Sequence, residues 1–457
     1  MKSNIIKFFL SCAAVASCVT VASAQNTYSG YFLEDYTARH QMNPAFGGTS
    51  KTYVGFPALS NINVAMRGNL HVSDVLYPNR EPGKSTILFT NPQIGVNEAM
   101  SKFSNHNKIG ADVKLGVINV GFTALGGYNT VGINVVTGVN ADVPKSLFSL
   151  VKEGIANKTY DIKDFRVGGH AYGEIALNHS RDLPFVPGLR VGAAVKFLIG
   201  LGNVDAYFNK ANLTLGENDW TAVTNANIYA SVNGLKYKTD VNENTGATYV
   251  SGADLDSFGL NGFGLGFDLG GVYEWNDFTF SAALLDLGFI SWGHTQYATT
   301  GGDKTINTDA YTFGINDDDE TWDNFTDDLS KLYELEDRGN IGTRTRALKA
   351  TLNLAAEYEF PYYRPLHFGF LSSTYFNGPF TWTQVRLSAN VKPCKAVSAS
   401  ANLAMGTYGV GFGWLLNIHT TGFNFFIGMD RTLGKLAKQG LPLNSNAEVN
   451  FGINFPF

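Results

Sequence analysis

Alternation of apolar and polar positions is the clearest pattern along the chain. Residues 262–270, 351–360, 385–392 and 423–430 each alternate, and only Phe426 in the last segment departs from the rule. Side chains of a strand point alternately to opposite faces, so this period of two predicts β-strands. One face of each predicted strand is apolar, and the other carries glycine, asparagine and charged residues.

The composition indicates where such strands are stable. Charged residues make up 16% of the 457 residues, against about 25% in soluble domains. Aromatic residues reach 13% and glycines number 50, yet the mean hydropathy is only −0.06. Strands with an apolar face toward lipid and a polar face toward a lumen fit these values. An open sheet edge is costly in a bilayer, so we predict an all-β fold, a closed transmembrane antiparallel β-barrel.

The last strand and the connections give the predicted topology. Residues 449–457 alternate and end on Phe457, which resembles the terminal signal read by barrel assembly machinery. About 14 strands are predicted, or 16 if residues 203–235 cross the membrane twice. Short turns alternate with long segments, which we assign to outer loops. These long loops are expected near 141–165, 236–259, 293–345 and 432–445.

Two of the long loops carry apolar residues at helical spacing. One stripe follows Pro144, and the other includes Trp322, Phe325, Leu329 and Leu332 among acidic residues. Both stripes predict short helices in outer loops. Each helix is expected to pack over the barrel mouth; the alternative is a gate or a docking helix.

The N-terminus predicts export through the Sec pathway to the outer membrane. Residues 1–24 have a basic start, an apolar stretch and an A-x-A site that ends at Ala24. This order is typical of a cleaved signal peptide. A lipoprotein box that ends at Cys18 is the alternative. The predicted domains are therefore a signal peptide at 1–24, a hatch or plug segment at 25–50 and the barrel at 51–457.

The hatch prediction depends on one motif. Asn43-Pro44-Ala45 precedes the first predicted strand in a stretch that lacks alternation. It resembles the N-terminal region of long-chain fatty-acid transporter barrels, whose N-terminus folds into the lumen, and of barrels associated with type IX secretion. Residues 285–292 resemble a signature of a related, uncharacterised barrel family. The resemblance implies a lumen hatch and identifies no ligand-binding residue.

Eight charged residues fall on the polar register of the predicted strands: Glu174, Lys196, Asp268, Glu357, Glu359, Arg386, Lys392 and Asp430. A charge on the lipid side would cost about 2–4 kcal/mol near the midplane, so these residues should face the lumen. Either they pair and fill the barrel, which we favour, or they line a substrate path.

No catalytic or cofactor motif was found. The chain has no zinc-protease, nucleophile-elbow or nucleotide-binding motif, so no enzyme activity, metal or cofactor is predicted. The net charge of −5 gives no support for nucleic-acid binding. The expected partners are outer-membrane lipid and lipopolysaccharide. Our first hypothesis is a porin-like barrel that binds or transports a hydrophobic small molecule. The alternative is a structural or secretion-accessory barrel that docks a secretion-system or surface protein.

Overall fold

The computed structural model describes residues 27–48, 52–79, 86–154, 157–216, 219–241, 246–309, 334–431 and 446–457. Three features predicted from the sequence lie outside these ranges. They are the signal peptide with Cys18 and Ala24, the helix around Trp322, and the loop 432–445.

The described residues contain 25 strands: β1 (Thr52–Gly55), β2 (Asn61–Gly68), β3 (Leu76–Tyr77), β4 (Ile87–Leu88), β5 (His106–Ala124), β6 (Gly127–Pro144), β7 (Lys158–Asp161), β8 (Arg166–Asp182), β9 (Leu189–Leu215), β10 (Asp219–Val232), β11 (Leu235–Val241), β12 (Thr248–Leu255), β13 (Gly262–Trp275), β14 (Phe278–Trp292), β15 (Thr295–Thr299), β16 (Lys304–Asp309), β17 (Glu336–Asn340), β18 (Arg344–Ala347), β19 (Thr351–Glu359), β20 (Leu366–Tyr375), β21 (Trp382–Cys394), β22 (Val397–Gly406), β23 (Gly409–Thr420), β24 (Phe423–Arg431) and β25 (Ala447–Pro456). The helices are α1 (Val72–Val75), α2 (Val96–Met100) and α3 (Lys145–Glu153), with 3-10 turns at Tyr28–Gly30, Thr37–Gln41 and Gly378–Phe380.

Fourteen strand positions form a closed antiparallel wall, as predicted. The first position is shared by β1 and β2, and the eighth by β18 and β19. The others are β5, β6, β8, β9, β13, β14 and β20 to β25. The wall closes where β25 pairs with both β1 and β2. Closure gives the backbone of every wall strand a neighbour on each side, which the bilayer requires.

The sixteen-strand alternative is wrong. The pairing of β9 with β13 ends at Gly200, and residues 202–215 of β9 pair instead with β10, which returns along them as an antiparallel partner. The other neighbours of β10 are β15 and β16, which are not wall strands. These strands, with β17, make an outer sheet that projects from one end of the barrel. The predicted loop 236–259 consists mainly of the separate hairpin β11–β12.

The two ends of the wall differ in their connections. At one end, six tight turns join wall strands, and β1 begins beside the end of β25. Short turns mark the periplasmic side of outer-membrane barrels. At the opposite end lie the outer sheet, all three helices and the small strands β3, β4 and β7. The helix predicted after Pro144 is α3, which packs near α2 over this outer end.

The wall has an apolar outside and a polar inside. On β13, Phe263 is 55%, Phe267 46% and Leu269 53% exposed, whereas Asp268 between them is 3% exposed. The exposed side chains face the bilayer, because the alternate register points into the lumen. Separately, none of the helices in the described residues is long and apolar enough to cross a membrane.

Candidate functional site

Residues 27–48, called the hatch segment below, lie inside the barrel. Most of this segment is buried, and Tyr31, Tyr36 and Met42 are 0–1% exposed. It forms the main apolar cluster of the molecule together with wall residues such as Leu371 and Leu415. The lumen is therefore filled over part of its height by the chain's own N-terminal segment.

The Asn43-Pro44-Ala45 motif forms a tight turn against the wall. The Ala45 N–H donates to Asn43 Oδ1 at 2.9 Å, and the Phe46 N–H donates to the Asn43 carbonyl at 3.0 Å. Wall glycines make room for the turn. A Cβ at Gly270 would lie 2.0 Å from Asn43 Oδ1, and one at Gly192 would lie 2.2 Å from the Pro44 carbonyl oxygen. Only glycine permits so close an approach without displacement.

An ion pair anchors the start of the hatch segment. The backbone N–H groups of Tyr28 and Ser29 donate to Asp430 at 2.8 and 2.6 Å. Arg386 holds the same carboxylate at 3.1 Å, and both side chains are about 1% exposed. A buried ion pair recovers its desolvation cost only when further hydrogen bonds satisfy it. Here the hatch backbone supplies those bonds.

Aromatic packing explains why Phe426 breaks the alternation. Its side chain points into the lumen and is 0% exposed. The ring of Tyr36 lies against it edge-on, with a centroid distance of 4.8 Å. The Tyr36 hydroxyl donates to Asn450 Oδ1 at 3.0 Å. Phe426 is thus an apolar support for the hatch segment.

A cavity of about 590 Å³ lies between the hatch segment and the outer end. Tyr28, Gln41 and Met42 belong to its floor. The loop Asn377–Phe380, at the outer end, lines its upper part. Its size falls in the range of about 300–1,000 Å³ that is usual for small-molecule sites.

Charged side chains on one side of the cavity form a connected cluster. Lys196 Nζ lies 2.8 Å from Asp268, 2.5 Å from Asp286 and 3.9 Å from Glu174. Glu174 also pairs with Lys114 at 3.2 Å. The cluster thus joins residues from β5, β8, β9, β13 and β14.

A β-bulge brings Asp286 into this cluster. The pairing of β13 with β14 shifts by one residue there, and Asp286 has a φ of +57°. Its N–H donates to Asp268 Oδ1 at 2.7 Å. Aspartate tolerates this backbone region better than most residues. The bulge allows Leu285 and Asp286 to line the same cavity, and redirecting a side chain is a common role of bulges.

Nearer the outer end, the lining formed by the same strands is apolar. Ile290 and Trp292 are 2% exposed and pack with Leu198, and Tyr172 and Leu348 lie against this group. Four of these five side chains line the cavity, Leu198 being the exception. The cavity therefore offers both an aromatic surface and charged groups.

The family match adds a second kind of observation. A model described as a family of unknown function, DUF5723, matches residues 44–430. The chain belongs to this family. The match starts in the hatch turn at Pro44 and ends at Asp430, so it contains the wall strands from β1 to β23 and most of β24. No curated protein matches the chain.

Several solved structures are similar to this DUF5723 barrel. The toluene transporter TbuX of Ralstonia pickettii has 9% identity and a TM-score of 0.41, with 92% of this chain and 93% of that chain covered. The P. putida toluene transporter TodX has 8% identity and a TM-score of 0.38, with 96% of each chain covered. A FadL homologue of Pseudomonas aeruginosa has 11% identity and a TM-score of 0.38, with 95% and 97% covered. At these values the likeness carries no information about ligands.

The eight charged residues predicted to face the lumen fall into three groups in this DUF5723 barrel. Glu174, Lys196 and Asp268 form the cavity cluster, and Arg386 with Asp430 anchors the hatch segment. The third group lies toward the periplasmic end. There Lys392 pairs with Asp35 of the hatch segment at 2.7 Å, Glu357 with His367 at 3.2 Å, and Glu359 with Arg364 at 3.2 Å. Each of the eight has an oppositely charged or ionisable partner, while their role in function stays a prediction.

Several cavity residues were not singled out from the sequence, among them Asp286 and Lys349. Asp286 lies in the 285–292 motif, and its place between two leucines could have marked it as a candidate in the sequence. Lys349 falls in the break between β18 and β19, and no alternation marks it. Within the described residues, no three His, Cys, Asp or Glu side chains are grouped as a metal site requires.

Proposed function

We propose that this protein is an outer-membrane barrel that binds and transports a hydrophobic small molecule, with the hatch segment closing the periplasmic end. The observation that carries the proposal is the cavity between the outer end and the hatch segment. Its apolar lining, which includes Tyr172, Ile290 and Trp292, suits an apolar ligand. The predicted signal peptide and the lipid-facing belt of the wall support the outer membrane as its location.

The hatch role is supported by how the segment is attached. Wall asparagines donate to it at several heights: Asn353 to the Met42 carbonyl at 2.9 Å, and Asn454 to Thr37 Oγ1 at 2.9 Å. Each bond to the backbone or a hydroxyl is worth about 1 kcal/mol. A segment held by many separate weak bonds is able to rearrange without unfolding of the wall.

A reversible crosslink tests the hatch. Ser29 Oγ lies 2.7 Å from the position of a Cβ on Gly413, so cysteines at both positions are close enough for a disulfide. The same Cβ would lie 2.6 Å from Asn402 Oδ1 and 2.8 Å from the Asp430 carbonyl oxygen, so Gly413→Cys also crowds the wall, and the single-cysteine variant measures that effect alone. In a Cys394→Ser background, Ser29→Cys with Gly413→Cys should slow uptake of the neutral fluorophore N-phenyl-1-naphthylamine by cells when oxidised. Reduction should restore the rate. The two single-cysteine variants are the controls, and equal rates in both redox states would contradict a movable hatch.

A second function, docking of a protein partner at the outer end, is favoured by the outer sheet. β9 continues well beyond the wall, and β10, β15, β16 and β17 extend this surface. The two functions make different demands on the cavity. Transport requires that the purified protein binds a neutral apolar probe in the lumen. Docking alone requires no such binding. If the protein acts only by docking, deletion of the β11–β12 hairpin should abolish docking of the protein partner without changing uptake of the apolar probe.

A further inference from the structure

Lys349 lines the cavity without a carboxylate partner. Its Nζ lies 3.2 Å from His170 Nδ1, and within the described residues this is its only hydrogen bond. A lysine ammonium has three N–H donors and no acceptor, so His170 must accept this bond. Two donors of Lys349 are then available to a ligand in the cavity.

Two carboxylates near Lys349 are already engaged. Asp112 lies 3.6 Å from Arg67, and Asp205 binds Arg344 at 2.8 Å and also Arg346. Lysines elsewhere in the lumen have direct acidic partners, as Lys196 does. Lys349 therefore differs from the other cavity lysines, Lys114 and Lys196, because its charge is balanced only at a distance.

The lining beside Lys349 is open. Gly168 lies on β8 between Arg166 and His170, and a Cβ there would meet only Asn140 Nδ2 at 3.6 Å and the Val204 carbonyl at 4.0 Å. Arg166 lines the cavity, has no ion pair among the described residues, and lies over the Tyr207 ring at 5.1 Å. Four residues of strand separate it from His170, which corresponds to about 13 Å. Arg166 thus adds positive potential near the outer end without sharing the Lys349 site.

Aromatic side chains are close to the free ammonium. Leu348 and Lys349 are consecutive, yet both line the cavity because β18 and β19 are interrupted there. Leu348 packs against Ile290 and Trp292. Tyr172 belongs to the same group, and its ring stacks on His170 at 5.8 Å. A flat apolar body placed here would lie beside the cation of Lys349.

We propose that the cavity takes a ring-bearing organic anion, whose charged group binds Lys349 while its rings pack against Trp292, Ile290 and Tyr172. This assignment rests on the proposed function and adds the charge and shape of the ligand. An anion gains charge-assisted hydrogen bonds from the two free donors. Rings gain edge or offset contacts with the aromatic residues.

The test compares three probes on the full barrel in detergent micelles, measured by equilibrium dialysis against empty micelles. The probes are 2-naphthoate, its neutral analogue 2-naphthylmethanol, and the aliphatic anion decanoate. The protein should bind 2-naphthoate at least about tenfold more tightly than either of the others. Lys349→Ala should remove this advantage, whereas binding of 2-naphthylmethanol should change less than about twofold.

Two matched variants complete the test. Lys349→Arg keeps the charge and should retain most of the preference for 2-naphthoate. Lys210→Ala removes a lysine from the outer sheet, where it pairs with Asp303 at 2.7 Å, and should leave all three affinities unchanged. If Lys349→Ala weakens the binding of 2-naphthoate and 2-naphthylmethanol equally, the proposal that Lys349 binds an anion is overturned. Tighter binding of decanoate than of 2-naphthoate would overturn the proposal that the ligand carries rings. Binding of 2-naphthylmethanol alone would refute the anion and leave the proposed function standing, while binding of no probe would refute both.

Discussion

Lys196 holds together the buried charges of the lumen. It lies within 4 Å of Asp268, Asp286 and Glu174, and its removal would leave Asp268 and Asp286 without a cation, while Glu174 keeps its pair with Lys114. Breaking a buried pair costs about 3–5 kcal/mol, because the remaining charge is neither solvated nor neutralised. Lys196→Met should therefore lower the free energy of unfolding in lipid vesicles by about that amount, as measured by urea titration.

The control for this prediction is a lysine on the outer surface. Lys210 and Asp303 form an ion pair whose side chains are 43% and 50% exposed. Exposed pairs contribute about 0–1 kcal/mol. Lys210→Met should thus shift the urea midpoint little. Similar losses in the two variants would show that burial of the cluster does not determine its contribution.

Two adjacent glycines test the docking of the hatch segment. A Cβ at Gly270 would lie 2.0 Å from Asn43 Oδ1, whereas a Cβ at Gly271 would meet only the Arg190 carbonyl at 3.9 Å. Overpacking costs about 1–3 kcal/mol, so Gly270→Ala should displace the hatch segment. Trypsin should then cleave after Arg39 about tenfold faster in cells with an opened outer membrane. Gly271→Ala should be cleaved at the same rate as the unchanged protein. Equal cleavage rates of the two variants would argue against docking of the hatch segment at this turn.

At the scale of the strand, the register of β13 determines what each position tolerates. Phe267 is exposed to lipid near the middle of the strand, so Phe267→Arg should cost about 2–4 kcal/mol of stability. Phe267→Leu, which keeps an apolar side chain, should cost less than about 1.5 kcal/mol. Folding yield in lipid vesicles measures both. A tolerated arginine at this position would contradict the register.

A substitution at the neighbouring Gly266 is not a suitable control for Phe267→Arg, because Gly266 is restricted by packing. Gly266 faces the lumen, but a Cβ there would lie 3.1 Å from Leu348 Cδ1 and 3.4 Å from Lys196 Cβ. A large side chain at Gly266 would therefore meet the cavity lining. The lumen face of this strand is restricted by packing, while its outer face is restricted by the bilayer.

Labelling of Cys394 reports which end of the barrel faces the periplasm. This exposed cysteine lies at the tight turn between β21 and β22, which is assigned to the periplasm. A membrane-impermeant maleimide of high mass should label Cys394 only after the outer membrane is opened. Ser251→Cys in a Cys394→Ser background places a thiol on β12 at the outer end, where labelling should occur on intact cells. The reverse pattern would invert the topology.

The fold class could be predicted from local alternation alone. Alternation is local, since each strand must satisfy lipid on one face and the lumen on the other whatever its neighbours are. This is why residues such as Phe267 and Asp268 could be assigned to opposite faces, and why eight charged residues could be predicted to face the lumen without knowledge of their partners. The same local reasoning identified the turn at Asn43-Pro44-Ala45.

How those residues meet depends on contacts between parts of the chain that are far apart in sequence. Lys196 and Asp286 are 90 positions apart, and Ser29 and Asp430 are 401 apart. Such pairs depend on the register between strands, where a shift of one residue reverses the face of every side chain. The bulge at Asp286 is such a shift, and the break beside Lys349 is another irregularity. The choice between 14 and 16 strands, the cavity and the partners of each charge follow from these long-range pairings, which no local pattern encodes.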